Sequence, residues 1–153
     1  MTDPEIQKVV DAARIARDCS LSPFSNFCVG AAVETTDGKI YTGCNIESAS
    51  FGLTVCAERV AIWKALSEGE RSFKRLAVVA ATEKLTPPCG TCRQIIWEYC
   101  RNAEIILGNL HGDIEIDEMR NLLPRAFDAR FLKEAEGEKR GNQAEPENTK
   151  PAD

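Results

Sequence analysis

A chain of 153 residues, 43% of them apolar, can build one domain with its own core and without crosslinks. Its net charge of −5, with no basic run and no arginine-rich helix, argues against a nucleic-acid binder. The start "MTDPEIQKVV" lacks a signal-peptide core and no apolar run reaches bilayer length, so the seven cysteines, an odd number, read as free or metal-bound thiols in a reducing, cytoplasmic setting.

Residues 4–19 have helical spacing, with Ile6, Val9, Val10, Ala13 and Ile15 favouring one side and Pro4 after Asp3 as the start signal. The serines and proline of "SLSPFSNF" break that pattern. "FCVGAAVETTDGKIYTGCNIES" reads as two strands around a "TDGK" hairpin turn, which places Cys28 and Cys44 in strands as packing residues. Gly30 and Gly43 inside them mark a bulge or a close backbone approach, such as a ligand would need. Residues 55–68 form a helix that is apolar nearly all round, as in helices buried between layers. "LAVVAAT" (76–82) suits a central strand buried on both faces. After the loop "EKLTPP", residues 91–100 look helical, "AEIILGNL" and "DIEIDE" look like strands, and "IDEMRNLLP" holds a short helix stopped before Pro124. The order implies an α/β sheet with helices on its faces. From Lys133 onward alanine and proline are the only apolar residues, so 1–132 is the expected domain and 133–153 a disordered polar tail.

The chemistry concentrates in "TVCAERVA" and "PPCGTCRQ". Cys89 and Cys92 sit at a loop-to-helix junction, where a C-x-x-C pair can bite one metal ion; the pair alone also fits a redox dithiol or two core cysteines. Cys56 adds a third thiol at another helix start, where the helix dipole favours thiolate. Catalytic zinc takes three protein ligands and structural zinc four. The single histidine, His111, falls in a strand-to-strand turn and reads as a solvated residue. Cys19, Cys28, Cys44 and Cys100 have no ligand spacing. Glu58 could merely compensate the dipole of its helix, but beside three candidate ligands it suits a base for water. Zinc with three thiolates has a formal charge of −1, so a guanidinium from Arg59 would draw charge off the sulfurs.

"CAER" followed by "PCGTCRQ" resembles the zinc nucleoside deaminases. "LSPFSNFCVGAAV", "GCNIESASFG" and "LLPRAF" are similar to further segments of the cytidine deaminase family, in order, from about Asp11 to Phe127. The all-cysteine site resembles the short homotetrameric type. The resemblance implies a three-layer α/β/α fold on a mixed five-stranded sheet, with Cys56, Cys89 and Cys92 holding one zinc per chain and Glu58 carrying protons. It implies that the Ala57 N–H holds the base carbonyl, the Pro88 carbonyl the leaving amine, and Phe27 the pyrimidine face. Asn45 and Glu47 would bind the ribose 3′-hydroxyl. Phe127 would reach over the base of a neighbouring subunit's site, so that each site needs the oligomer.

The implied reaction is hydrolytic deamination of free cytidine or deoxycytidine in pyrimidine salvage. A hydrolase of N4- or 5-substituted cytidines, or of blasticidin-type aminopyrimidine nucleosides, is the alternative; Asn45 and Glu47 favour a free ribose. A structural zinc or thiol-redox module is the non-enzyme reading, and it requires a fourth ligand or a reactive disulfide. Nucleic acid and membrane are not expected partners.

Overall fold

The computed structural model describes residues 3–135. Helix α1 (Pro4–Arg17) starts where the Asp3 carboxylate accepts the Glu5 N–H at 2.9 Å, satisfying one of the free donors of the first turn. It buries Ile6, Val9, Val10, Ala13 and Ala16. Ile15 was expected on this face but is 70% exposed, because it falls off the stripe formed by Ala13 and Ala16.

Strands β1 (Val29–Thr35) and β2 (Ile40–Cys44) form the antiparallel hairpin. Its turn has Gly38 at φ +88°, a left-handed conformation that glycine takes without a steric penalty. Cys28 lies one residue before β1 rather than inside it, and Cys44 ends β2. A single 3₁₀ turn, Phe51–Leu53, precedes helix α2 (Ala57–Ser67). That helix buries Ala57, Glu58, Ala61, Ile62 and Ala65 on one face. It is not sandwiched between layers as its composition suggested: Trp63 is 45% exposed.

Strand β3 (Phe73–Ala80), helix α3 (Gly90–Cys100), strands β4 (Glu104–Asn109) and β5 (Ile114–Glu118), and helices α4 (Met119–Leu122) and α5 (Ala129–Ala135) complete the described chain. The five-stranded sheet has the order β2-β1-β3-β4-β5. Only β3 and β4 pair in parallel, which needs a crossover, and α3 supplies it. Alternating residues on the strands feed two cores. Ala32, Ala77, Val79 and Ile106 pack beneath α1. Ala31, Leu76, Val78 and Ile105 pack beneath α2 and α3. The result is a three-layer α/β/α arrangement around a mixed sheet.

Gly30 and Gly43 mark close approaches to helices rather than to a ligand. A Cβ at Gly30 would sit 2.0 Å from the Ala13 carbonyl oxygen, and one at Gly43 2.5 Å from the Ala57 oxygen and the Ala61 nitrogen. Gly43 therefore sets how near α2, and the residues at its start, lie to the sheet. Of the segment expected as a tail, residues 133–135 end α5, and 136–153 lie outside the described residues. Among the described residues, no helix is long and apolar enough to cross a membrane.

Candidate active site

Two helix starts converge beside the C-terminal end of β3. Cys56 is the N-cap residue of α2 and Cys89 that of α3, and neither uses its sulfur to cap. Cys92 lies in the first turn of α3 and is buried. The three sulfurs lie within 4.8 Å of one another, the one such cluster of candidate ligands among the described residues. Cys56 and Cys89 sulfurs are 3.8 Å apart. Two sulfurs each ~2.3 Å from a tetrahedral zinc stand ~3.8 Å apart, so this spacing fits the ion. No fourth histidine, cysteine or carboxylate joins the cluster among the described residues, which leaves a coordination position open.

The electrostatics are those of a shared negative charge. A hydrogen bond with Cys92, with the Arg59 contact adding to it against burial, draws the Cys56 thiol down to about 5. The same bond and burial hold the Cys92 thiol high. Arg59 Nη2 stands 3.9 Å from the Cys56 sulfur and donates to the Thr54 carbonyl at 3.2 Å. Its guanidinium carbon lies 5.6 Å from the Trp63 ring centroid. Its Nε is buried and has no hydrogen-bond partner among the described residues.

Glu58 is only 4% exposed, and burial, ahead of the Cys56 charge, pushes its carboxyl up to about 7. It borders a cavity of about 170 Å³ together with Phe27, Asn45, Glu47, Cys56 and Ala57. An adjoining hollow of about 330 Å³ shares Glu47 and Thr54 with it and is walled by Phe24 and Phe51. Ala57 opens α2, so its N–H has no partner within the helix.

The remaining candidates are placed less directly. Asn45 donates to the Phe27 carbonyl at 2.7 Å and accepts from the Val29 N–H at 2.9 Å. Glu47 accepts from the Phe24 and Ser25 N–H groups at 2.9 and 3.2 Å. Both residues thus hold the loop that carries Phe27 while bordering the cavity. Pro88 is buried outside the lining, and its carbonyl accepts from Arg93 Nε at 2.8 Å. Phe127 is absent from the cavity of its own chain; it is 56% exposed and stacks on Phe131 with ring centroids 5.6 Å apart. His111 is an exposed turn residue, and burial pushes the Cys100 thiol up to about 12.

Arg93 had no role in the sequence reading. The available signal was a cation in the first turn of a helix, where the dipole disfavours it. A separate depression of about 380 Å³ beside Trp97 and Arg101 lacks the thiols. Its charges are already paired: Arg101 with Asp128, Glu104 with Arg75, and Arg120 with Glu118.

A family model described as the cytidine and deoxycytidylate deaminase zinc-binding region matches residues 4–108. A cytidine deaminase from Sporosarcina psychrophila is 49% identical over 124 residues, covering 80% of this chain and 91% of its own length. One from Halalkalibacterium halodurans is 48% identical over 124 residues, covering 80% and 94%. The crystal structure of cytidine deaminase from Burkholderia pseudomallei superposes with a TM-score of 0.78 at 44% identity, covering 83% of this chain and 100% of that one.

Proposed function

Because the chain belongs to the cytidine and deoxycytidylate deaminase family, we infer that it hydrolyses free cytidine or deoxycytidine to uridine or deoxyuridine and ammonia, with zinc as cofactor. The observation that carries this reading is an open three-sulfur cluster with a buried carboxyl, Glu58, facing the same cavity.

Cys56, Cys89 and Cys92 would hold the zinc. When bound, it supplies Lewis acidity that makes water a nucleophile at neutral pH. Glu58 takes one proton from the attacking water and passes it to ring N3, then takes the second from the hydroxyl now on C4 and gives it to the departing amine. The water oxygen first adds to C4 while N3 takes a proton; the C4–N bond then breaks as the C4 oxygen becomes a carbonyl, so cytidine and water become uridine and ammonia. Arg59 withdraws charge from the sulfur of Cys56.

Around these groups, the free Ala57 N–H holds the base carbonyl and Phe27 packs on the pyrimidine. Glu47 has oxygen lone pairs, and Asn45 a second amide hydrogen, left to meet a ribose hydroxyl. A carbonyl oxygen has two lone pairs, and Arg93 occupies one of those on Pro88; the other would receive the leaving amine. Phe127, exposed and absent from the lining of its own chain's cavity, suits a residue that reaches a neighbouring subunit's site in a homotetramer. A cytoplasmic place in pyrimidine salvage follows from such a substrate.

Incubating zinc-loaded protein with cytidine tests the reading. Uridine and ammonia should appear in equal amounts, and stripping the zinc should stop both. Unchanged cytidine with a folded, zinc-loaded protein would reject the substrate; turnover of an N4- or 5-substituted cytidine alone would move the assignment there.

A further inference from the structure

We propose that Arg93 is a positioning residue for the metal-binding loop, fixing the Pro88 carbonyl, and through it Cys89, against the C-terminal end of α4. The proposal rests on the reading of the three thiols as the zinc site.

The loop between β3 and α3 has little backbone support. Pro87 and Pro88 have no N–H to donate. Among the described residues, no turn or loop backbone–backbone hydrogen bond involves residues 81–88. Side chains hold the loop instead. Thr82 and Thr86 share a hydroxyl hydrogen bond at 2.9 Å, and Asn109 Nδ2 donates to the Glu83 carbonyl at 3.3 Å. Arg93 Nε alone among these acts on the residue joined directly to a candidate ligand, donating to the Pro88 carbonyl at 2.8 Å.

The other side of the same guanidinium donates from Nη1 to the Leu122 carbonyl at 2.8 Å. Leu122 ends α4, where carbonyls lack helical partners. One planar, rigid fork therefore spans two carbonyls in fixed directions, which a lysine cannot reproduce. Arg93 lies in the first turn of α3, where a cation opposes the dipole. Its position is accounted for by the two carbonyls it serves. Rotation of the Pro88 carbonyl would turn the 88–89 peptide and with it the Cys89 sulfur, so the bond controls one of three ligand positions.

The test uses full-length, zinc-loaded Arg93→Gln and Arg93→Lys. Zinc loss to a chromophoric chelator is followed without substrate, beside kcat and KM for cytidine and the melting temperature. Arg93→Gln should lose zinc roughly 10–100-fold faster than the parent. Its kcat should fall by more than its KM changes, and Arg93→Lys, keeping the charge and one donor, should recover part of both. Folded variants with parental zinc release and kcat would overturn the proposal, even with a lower melting temperature, leaving Arg93 as a staple between α3 and α4. Failure of both variants to fold would also overturn it, making the residue a determinant of folding. If the parent made no uridine while the contrast in zinc release persisted, the positioning role would stand and the deaminase reading would fall.

Discussion

Arg59 and Cys56 lie one helical turn apart, with the guanidinium Nη2 3.9 Å from the sulfur. A second bond to the Thr54 carbonyl and the face of Trp63 hold the guanidinium there. Three thiolates neutralise more than the charge of a divalent zinc, and hydrogen bonding to sulfur withdraws part of that excess. Arg59→Gln should therefore lower kcat roughly 10–100-fold at saturating zinc. Steady-state kinetics on cytidine with excess zinc would show it, and unchanged turnover would refute the charge-withdrawing role.

Gly43 sets the seat of α2, and through α2 the place of Cys56 and Glu58. An added Cβ would meet backbone atoms of Ala57 and Ala61 at 2.5 Å, and backbone cannot swing aside as a flexible side chain can. Gly43→Ala should destabilise the fold by about 1–3 kcal/mol and weaken zinc binding at the same time. Urea unfolding and a chelator competition would measure the two effects. A destabilised variant with parental zinc affinity would separate the helix seat from the metal site.

The element order from α1 to α4 was legible in the sequence because period-2 and period-3.6 patterns were clear between turn residues. The zinc cluster was legible because C-x-x-C and CAER stand at helix starts. The start of β3 was not, since Lys74 and Arg75 interrupt its apolar run. Arg75 enters the interior because Glu34 meets it, a pairing across strands that no local window contains. Ile15 was read onto the apolar side from helical spacing and Trp63 as buried from a helix apolar nearly all round, but which side of a helix faces the sheet is decided by the closest backbone contacts. Arg93 was missed because its partners, Pro88 and Leu122, are joined only by the tertiary fold. Helix α5 also went unread, as its apolar residues lie within a charged stretch.

The Arg75–Glu34 pair gives a test of that buried charge. Nη1 and the carboxylate are 2.9 Å apart, with side chains 8% and 2% exposed, and Arg75 Nε also meets Glu104 at 2.9 Å. Removing one partner leaves the other charged and dry. Arg75→Ala should cost about 3–5 kcal/mol of folding stability. A loss under 1 kcal/mol in chemical denaturation, on the scale of surface ion pairs, would show that water reaches Glu34.

Asp128 gives the pH test. Hydrogen bonds from Arg130, at 2.8 and 2.9 Å, hold its carboxyl well below the usual carboxylate range, and Trp97 Nε1 adds another at 3.2 Å. A depressed folded value contributes stability above the unfolded pKa of ~3.9 and loses it as pH falls through the folded value. The gap in melting temperature between the parent and Asp128→Asn should therefore be constant from pH 8 to pH 5, with the parent higher. A gap that closes by pH 5 would contradict the strong pairing.

The central claim is that Glu58 carries the protons of a deamination at a zinc site. Its most direct measurement is mass-spectrometric product analysis after incubating cytidine with parent and Glu58→Gln at matched zinc content. The account predicts uridine from the parent and a rate lower by at least ~10²–10⁴-fold from Glu58→Gln, with zinc still bound. Equal uridine from both proteins would contradict it.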